Sequence, residues 1–316
     1  MPDHIQNIIL EGIYPPLPTF FDAQEALDLA TYQQHIANLA GTGIAGYVVM
    51  GTNGEAVHLT TDERFQVIKA ARDVVVPLAG TRGDALIIAG CGEQSTRATL
   101  ANCQRAAQAG ANAALVLPPS YYKSQMDQRA LVTHYRAIAD NSPLPVVIYN
   151  MPASAADLDL DAATICILAE HPNILAVKDS AGNMAKLAQI VALAPAHFRV
   201  FAGNAGYLLP ALSVGAVGAV AALANIFPRQ VCRVQELFTA GRLAEARIVQ
   251  ASLVAANNAV TTTFGVPGLK AALELTAGHE GLLRADCGHL RSPLQPLAEQ
   301  EREKLLRILK NVPQLP

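Results

Sequence analysis

Short, nearly unbroken apolar runs recur along the chain, with longer mixed stretches between them. They fall at residues 12–14, 46–50, 86–90, 113–117, 145–149, 174–177, 199–202 and 218–221. Each is too short for a typical helix, and none shows the strict alternation of a half-exposed strand. That pattern predicts strands buried on both faces. Their spacing of about 25–35 residues is the length of one strand-plus-helix unit. The intervening stretches carry helix punctuation. Thr60-Thr61-Asp62-Glu63 offers a capping box ahead of a helix over 65–74, and Gly110 stands at the C-cap of an alanine-rich helix over 95–109. Repeated strand–helix units predict an α/β fold, a (β/α)8 TIM barrel over residues 1–240, in preference to an open doubly wound sheet. After Phe227 the strand signal stops. Residues 228–240, 242–257, 269–277 and 295–310 read as helices, broken by Gly241, Pro267, Gly278 and Pro293. The first completes the barrel; the others predict a C-terminal helical extension, 241–316, packed on it.

Composition narrows the picture. The chain has 316 residues, of which 51% are hydrophobic and 16% charged, enough to bury a large core. No apolar run approaches the ~18–20 residues of a spanning helix. The longest, around 214–224, is broken by Gly215 and Gly218. Met1-Pro2-Asp3-His4 lacks a signal peptide's basic start and a transit peptide's arginines. Net charge is −3, without the basic cluster that would track nucleic acid. Cys91, Cys103, Cys166, Cys232 and Cys287 are widely spaced and odd in number, and the histidines show no ligand spacing. The expectation is a cytoplasmic protein with reduced thiols, no dedicated metal site, and no membrane or nucleic-acid partner.

In such a barrel, chemistry sits at the C-terminal ends of the strands. Gly51-Thr52-Asn53-Gly54-Glu55 follows the second run, a tight turn able to present amides to an anion, with a hydroxyl from Thr52. Pro118-Pro119-Ser120-Tyr121-Tyr122 follows the fourth, Tyr149-Asn150-Met151-Pro152 the fifth, Lys178 the sixth, and Gly203-Asn204-Ala205-Gly206 the seventh. Singly, each has a bland explanation: a strand-end lysine can snorkel to water, a tyrosine can be core, and a polar turn can be only a turn. Converging on one mouth, they suggest carbonyl chemistry through a Schiff base. An amine attacks a carbonyl in its neutral form, whereas a free lysine titrates near ~10.4, and burial disfavours the ammonium. Tyrosines could then shuttle protons as the carbinolamine collapses. Glu55 and Asp179 form no obvious acid–base pair, so glycosidase chemistry is disfavoured.

With Gly215-Ala216-Val217-Gly218, these motifs resemble the dihydrodipicolinate synthase / N-acetylneuraminate lyase family of class I aldolases over essentially the whole chain. The resemblance implies that Lys178 forms an imine with a 2-oxo acid such as pyruvate. Tyr149 would protonate at the reacting carbon, and Thr52 would link two tyrosines into a proton relay. Tyr122 matches the relay tyrosine contributed across a subunit interface; Tyr121 is the alternative, because Ser120 lengthens this loop. The turn at Gly51, Thr52 and Asn53 would hold the substrate carboxylate, and Gly203 and Val220 would line the pyruvate end. The family implies a homotetramer, a dimer of dimers, with no metal or organic cofactor.

Synthases of the family carry an arginine shortly after Tyr-Asn-x-Pro, where this chain has Ser154. Without that guanidinium the bidentate contact to a second carboxylate is missing, which argues against dihydrodipicolinate synthesis. Gly12-Ile13-Tyr14-Pro15-Pro16, Ser180, Ala222-Leu223-Ala224-Asn225 and the Phe264-Gly265-Val266-Pro267-Gly268-Leu269-Lys270 run are most similar to 4-hydroxy-2-oxoglutarate aldolases and to 2-keto-3-deoxy-sugar-acid aldolases. The resemblance therefore implies cleavage of a 4-hydroxy-2-oxo acid to pyruvate and an aldehyde, foremost glyoxylate, with Ser154, Ser180 and Asn204 holding the aldehyde portion. Deoxy-hexulosonate cleavage is the alternative, and a non-catalytic barrel that binds 2-oxo acids is the rival from another class.

Overall fold

The computed structural model describes residues 8–78, 85–276 and 287–313. Its strands are β1 Gly12–Tyr14, β2 Gly46–Val49, β3 Leu86–Gly90, β4 Ala113–Val116, β5 Val146–Asn150, β6 Ile174–Asp179, β7 Arg199–Ala202 and β8 Gly218–Val220. They form one parallel sheet in which β8 returns to pair with β1. Between β1 and β2 the circle closes through Ala45 N to Ile13 O (2.9 Å), Val48 N to Pro15 O (3.0 Å) and Leu17 N to Val48 O (2.8 Å). The result is the expected TIM barrel. Its helices are α1 Leu29–Leu39, α2 Thr61–Leu78, α3 Thr96–Gln108, α4 Gln128–Asn141, α5 Ala162–Ala169, α6 Met184–Leu193, α7 Leu208–Ser213 and α8 Pro228–Thr239. Three more follow, α9 Leu243–Asn258, α10 Gly265–Leu275 and α11 Glu299–Leu309, with a π-helical turn Ala259–Thr263 joining the first two.

Two apolar clusters explain the unalternating strands. Tyr14, Val48, Ile88, Leu115, Val147, Tyr149, Phe201 and Val220 pack together inside the barrel. Their strand neighbours Ile13, Val49, Ile87, Val116, Ile148, Val200 and Ala219 belong to the larger cluster shared with the helices. Both faces are therefore buried, as parallel sheets require. The helix ends follow local chemistry. Thr60 and Glu63 cap α2 reciprocally: Thr60 N donates to Glu63 Oε2 (2.8 Å) and Glu63 N to Thr60 Oγ1 (3.3 Å). Ser95 Oγ accepts from Ala98 N at the start of α3 (3.2 Å), and Gly110 leaves that helix at φ +98°.

Some boundaries differ from the expectation. β6 runs on through Lys178 and Asp179, where Lys178 pairs in register with Tyr149 on one side and Phe201 on the other. The polar residues stay in the ladder because the neighbouring strands extend equally far. α10 starts at Gly265, so Pro267 lies in its first turn, where no intrahelical N–H bond is lost, and does not break it. The last helix is shorter than 295–310. Met1–His4, Ala277 and Gly278 lie outside the described residues. Among the described residues no helix is long and apolar enough to cross a membrane.

Candidate active site

The site is built where β2, β5 and β6 end. Lys178 and Tyr149 keep only 4% and 5% of their surface exposed. Adjacent strands set them side by side, with Lys178 Nζ 3.9 Å from the centroid of the Tyr149 ring. The Tyr149 hydroxyl lies 3.1 Å from Thr52 Oγ1. Thr52 opens a 3-10 turn, Thr52–Gly54, that follows β2. The turn is bracketed by two non-glycine residues in the left-handed region, Met50 at φ +54° and Glu55 at φ +51°, a conformation that costs about 1–2 kcal/mol each. Thr19 Oγ1 pins its far end by donating to Gly54 O at 2.7 Å. The amides of Thr52 and Asn53 donate to no described residue, as the first N–H groups of a helical turn must. Two free amides beside a hydroxyl make an anion cradle. A cavity of about 540 Å³ is lined by Gly51, Thr52, Arg64, Glu93, Leu117, Tyr149 and Ser154.

The remaining expected residues are distributed unevenly. Ser180 N extends the strand by donating to Asn150 O (2.8 Å), and its Oγ is buried without a partner among the described residues. Gly203 packs directly against it: a Cβ there would stand 1.9 Å from Ser180 Oγ, so only glycine fits. Val220 lies within the interior cluster. Asn204 is turned into the fold, its Oδ1 accepting from Gly206 N (2.7 Å) and Asn257 Nδ2 (2.6 Å). Its acceptor is thus engaged in shaping the loop. Tyr121 and Tyr122 are 80% and 69% exposed and stack edge-to-face on each other, 5.0 Å between centroids. Gln94 Oε1 accepts from the amides of Ser120 and Tyr121, at 2.9 Å each, and so fixes their loop. Neither hydroxyl bonds to Thr52 or Tyr149 within the chain. The chain therefore brings Lys178, Tyr149 and the Thr52–Gly54 turn together and leaves the tyrosine pair on its surface.

Sequence reasoning missed the charged groups behind the site. Buried Glu55 meets Lys270 of α10, Nζ to Oε1 at 2.5 Å, and Lys270 also donates to His289 O at 2.6 Å. Burial lowers the Lys270 pKa, and Glu55 opposes that shift. Arg291 N donates to Glu55 Oε2 (3.3 Å), while its guanidinium grips both oxygens of Glu63 at 2.9 and 2.7 Å. Those bonds hold the Glu63 carboxyl down to about 2. Asp179 is fully buried, accepts from Asn150 Nδ2 (2.8 Å) and Ala181 N (3.0 Å), and forms an ion pair with Lys186 Nζ (2.8 Å). Asn150 and Lys186 also reach Asp159, at 2.7 and 2.5 Å, which ties the ends of β5 and β6 to α6. Glu55 and Asp179 are thus paired with lysines and not with each other. The available signal was Lys270 itself, a lone charge in the apolar run 268–273, but nothing local names its partner. Among the described residues no three His, Cys, Asp or Glu side chains are grouped to hold a metal ion.

A protein of Emericella nidulans named probable 4-hydroxy-2-oxoglutarate aldolase, mitochondrial, is 43% identical over 279 residues, covering 88% of this chain and 89% of its own. The L-threo-3-deoxy-hexylosonate aldolase of Hypocrea jecorina is 34% identical over 310 residues, covering 95% of this chain and 98% of its own. YagE, a prophage protein of E. coli K12 solved in complex with pyruvate, matches with a TM-score of 0.85 at 28% identity, covering 96% of this chain and 99% of its own. The family model for the dihydrodipicolinate synthetase family matches residues 9–312. From β1 to beyond α11, the chain belongs to the dihydrodipicolinate synthetase family.

Proposed function

We propose that this protein is a class I aldolase that cleaves 4-hydroxy-2-oxoglutarate to pyruvate and glyoxylate through an imine on Lys178. The observation that carries the reading is a buried lysine against Tyr149, whose hydroxyl meets Thr52 beside a turn with two free amides. Lys178 Nζ attacks the C2 carbonyl, and the carbinolamine loses water to give the protonated imine. The C4 hydroxyl then gives up its proton, the C3–C4 bond breaks, and its electron pair moves into the enamine as glyoxylate leaves. C3 takes a proton, and water hydrolyses the imine to release pyruvate and restore the amine. Tyr149 and Thr52 carry the protons, with Tyr122 completing the relay from a neighbouring subunit and Tyr121 as the alternative for that place. The amides of Thr52 and Asn53 hold the C1 carboxylate. Gly51 shapes that turn, Gly203 and Val220 bound the pyruvate end, and Ser154 and Ser180 face the aldehyde half, with Asn204 positioning its loop. The reaction runs on the substrate imine with no metal or organic cofactor.

The relay requires a neighbouring chain, and we infer a homotetramer, a dimer of dimers, around the exposed Tyr121–Tyr122 loop. Scattered cysteines outside any disulfide suit a reducing compartment such as the cytoplasm; the Emericella nidulans relative carries a mitochondrial name. Deoxy-hexulosonate cleavage is the second reading, favoured by the Hypocrea jecorina relative. A substrate panel separates them. Pyruvate release should show the highest kcat/KM with 4-hydroxy-2-oxoglutarate, ahead of 3-deoxy-hexulosonates and N-acetylneuraminate. Ser154 in place of a guanidinium should leave dihydrodipicolinate synthesis negligible. A far higher kcat/KM for a deoxy-hexulosonate would overturn the glyoxylate assignment.

A further inference from the structure

The carboxylate turn is held from behind by charge. Glu55 ends the turn in the left-handed region; its Oε1 forms an ion pair with Lys270 Nζ (2.5 Å), and its Oε2 accepts from Arg291 N (3.3 Å) and lies 3.2 Å from His58 Nδ1. Lys270 is entirely shielded from solvent. Arg291 is locked in turn by Glu63 and by the carbonyls of His58 (2.8 Å) and Glu25 (2.6 Å). α10 and the segment through Arg291 therefore grip the residue directly after the turn, while Thr19 grips Gly54 from the other side. A buried ion pair is a poor device for stability alone, since an apolar pair of similar volume commonly serves a fold as well. The charged pair anchors Glu55, whose left-handed backbone at φ +51° is unfavourable for a residue with a side chain.

We propose that Lys270, with Arg291, is a positioning residue: its ion pair with Glu55 keeps the Thr52 and Asn53 amides aimed at the carboxylate of the 2-oxo acid. The C-terminal helices thereby set substrate affinity from behind the barrel mouth without touching substrate. This inference rests on the imine reading of Lys178 and on the turn as the carboxylate site.

The test compares two carbonyls in borohydride trapping at Lys178: pyruvate, and acetone, which has a methyl group where pyruvate has its carboxylate. Wild type is set beside Lys270→Met and the double variant Glu55→Gln/Lys270→Met, with circular dichroism to establish folding. The double variant removes both charges at similar volume, so it decides the question if the single variant fails to fold. In the folded variants the half-saturating pyruvate concentration should rise about tenfold or more, as expected for misaligned hydrogen bonds to a charged group. Acetone trapping should stay within about twofold, the signature of lost ground-state binding. A folded double variant with wild-type pyruvate saturation overturns the proposal, and so does a parallel loss of pyruvate and acetone trapping, which would mean general damage. Wild type that traps acetone but shows no carboxylate preference removes the turn's assigned role, and wild type that traps neither removes the imine reading; in both cases the positioning proposal falls with its premise.

Discussion

In the proposed reaction Tyr149 is the residue on which the proton chemistry turns. Its ring lies against Lys178 Nζ, and its hydroxyl is the link to Thr52. Tyr149→Phe keeps the ring and removes only the hydroxyl. It should lower kcat by about 10²-fold or more, the usual worth of a positioned acid–base group, while pyruvate remains trappable at Lys178. A kcat within tenfold of wild type, measured under saturating substrate, would rule out the proton role. Lys178, Tyr149 and Thr52 were legible in the sequence because each ends or follows an apolar strand, and strand ends in a barrel converge. Lys270 and Lys186 were not. Their partners Glu55 and Asp179 are defined by the tertiary fold, and a lone lysine in a helical stretch ordinarily reads as a solvated one.

At the scale of elements, the strand runs announced the barrel because burial on both faces leaves no polar alternation to confuse the period. Their ends were less visible: β6 carries Lys178 and Asp179 within its ladder, held there by β5 and β7. The start of α2 was readable from Thr60 and Glu63 alone, yet Glu63 has a second task that local sequence does not announce. It caps the helix and also binds Arg291. Its carboxyl titrates at about 2 in the folded chain against an ordinary 4.5. The folded state thus takes up this proton less readily than the unfolded one. The pair's contribution is full above the ordinary value and is lost as pH falls through that window. Denaturant midpoints measured between about pH 5 and pH 3 should therefore fall more steeply for wild type than for Glu63→Gln. Equal slopes would mean that the Glu63–Arg291 pair carries no measurable stability.

For the whole molecule, the eightfold repeat and the C-terminal helices were legible, whereas the assembly was not. The chain leaves Tyr121 and Tyr122 on its surface, stacked on each other and away from Thr52. If one of them completes the relay, a second copy must bring it. Light scattering in solution should accordingly give a mass four times the chain's 33.3 kDa. A monomer with full activity would remove Tyr122 and Tyr121 from the catalytic set. Ser154 lines the cavity beside Tyr149 and Thr52.

The most direct measurement is trapping of the imine itself. The protein is incubated with pyruvate, reduced with borohydride, digested, and examined by mass spectrometry. A single reduced pyruvate adduct is expected on the peptide that contains Lys178, absent from Lys178→Ala. A folded wild-type protein with no adduct, or with its adduct on another lysine, would contradict it.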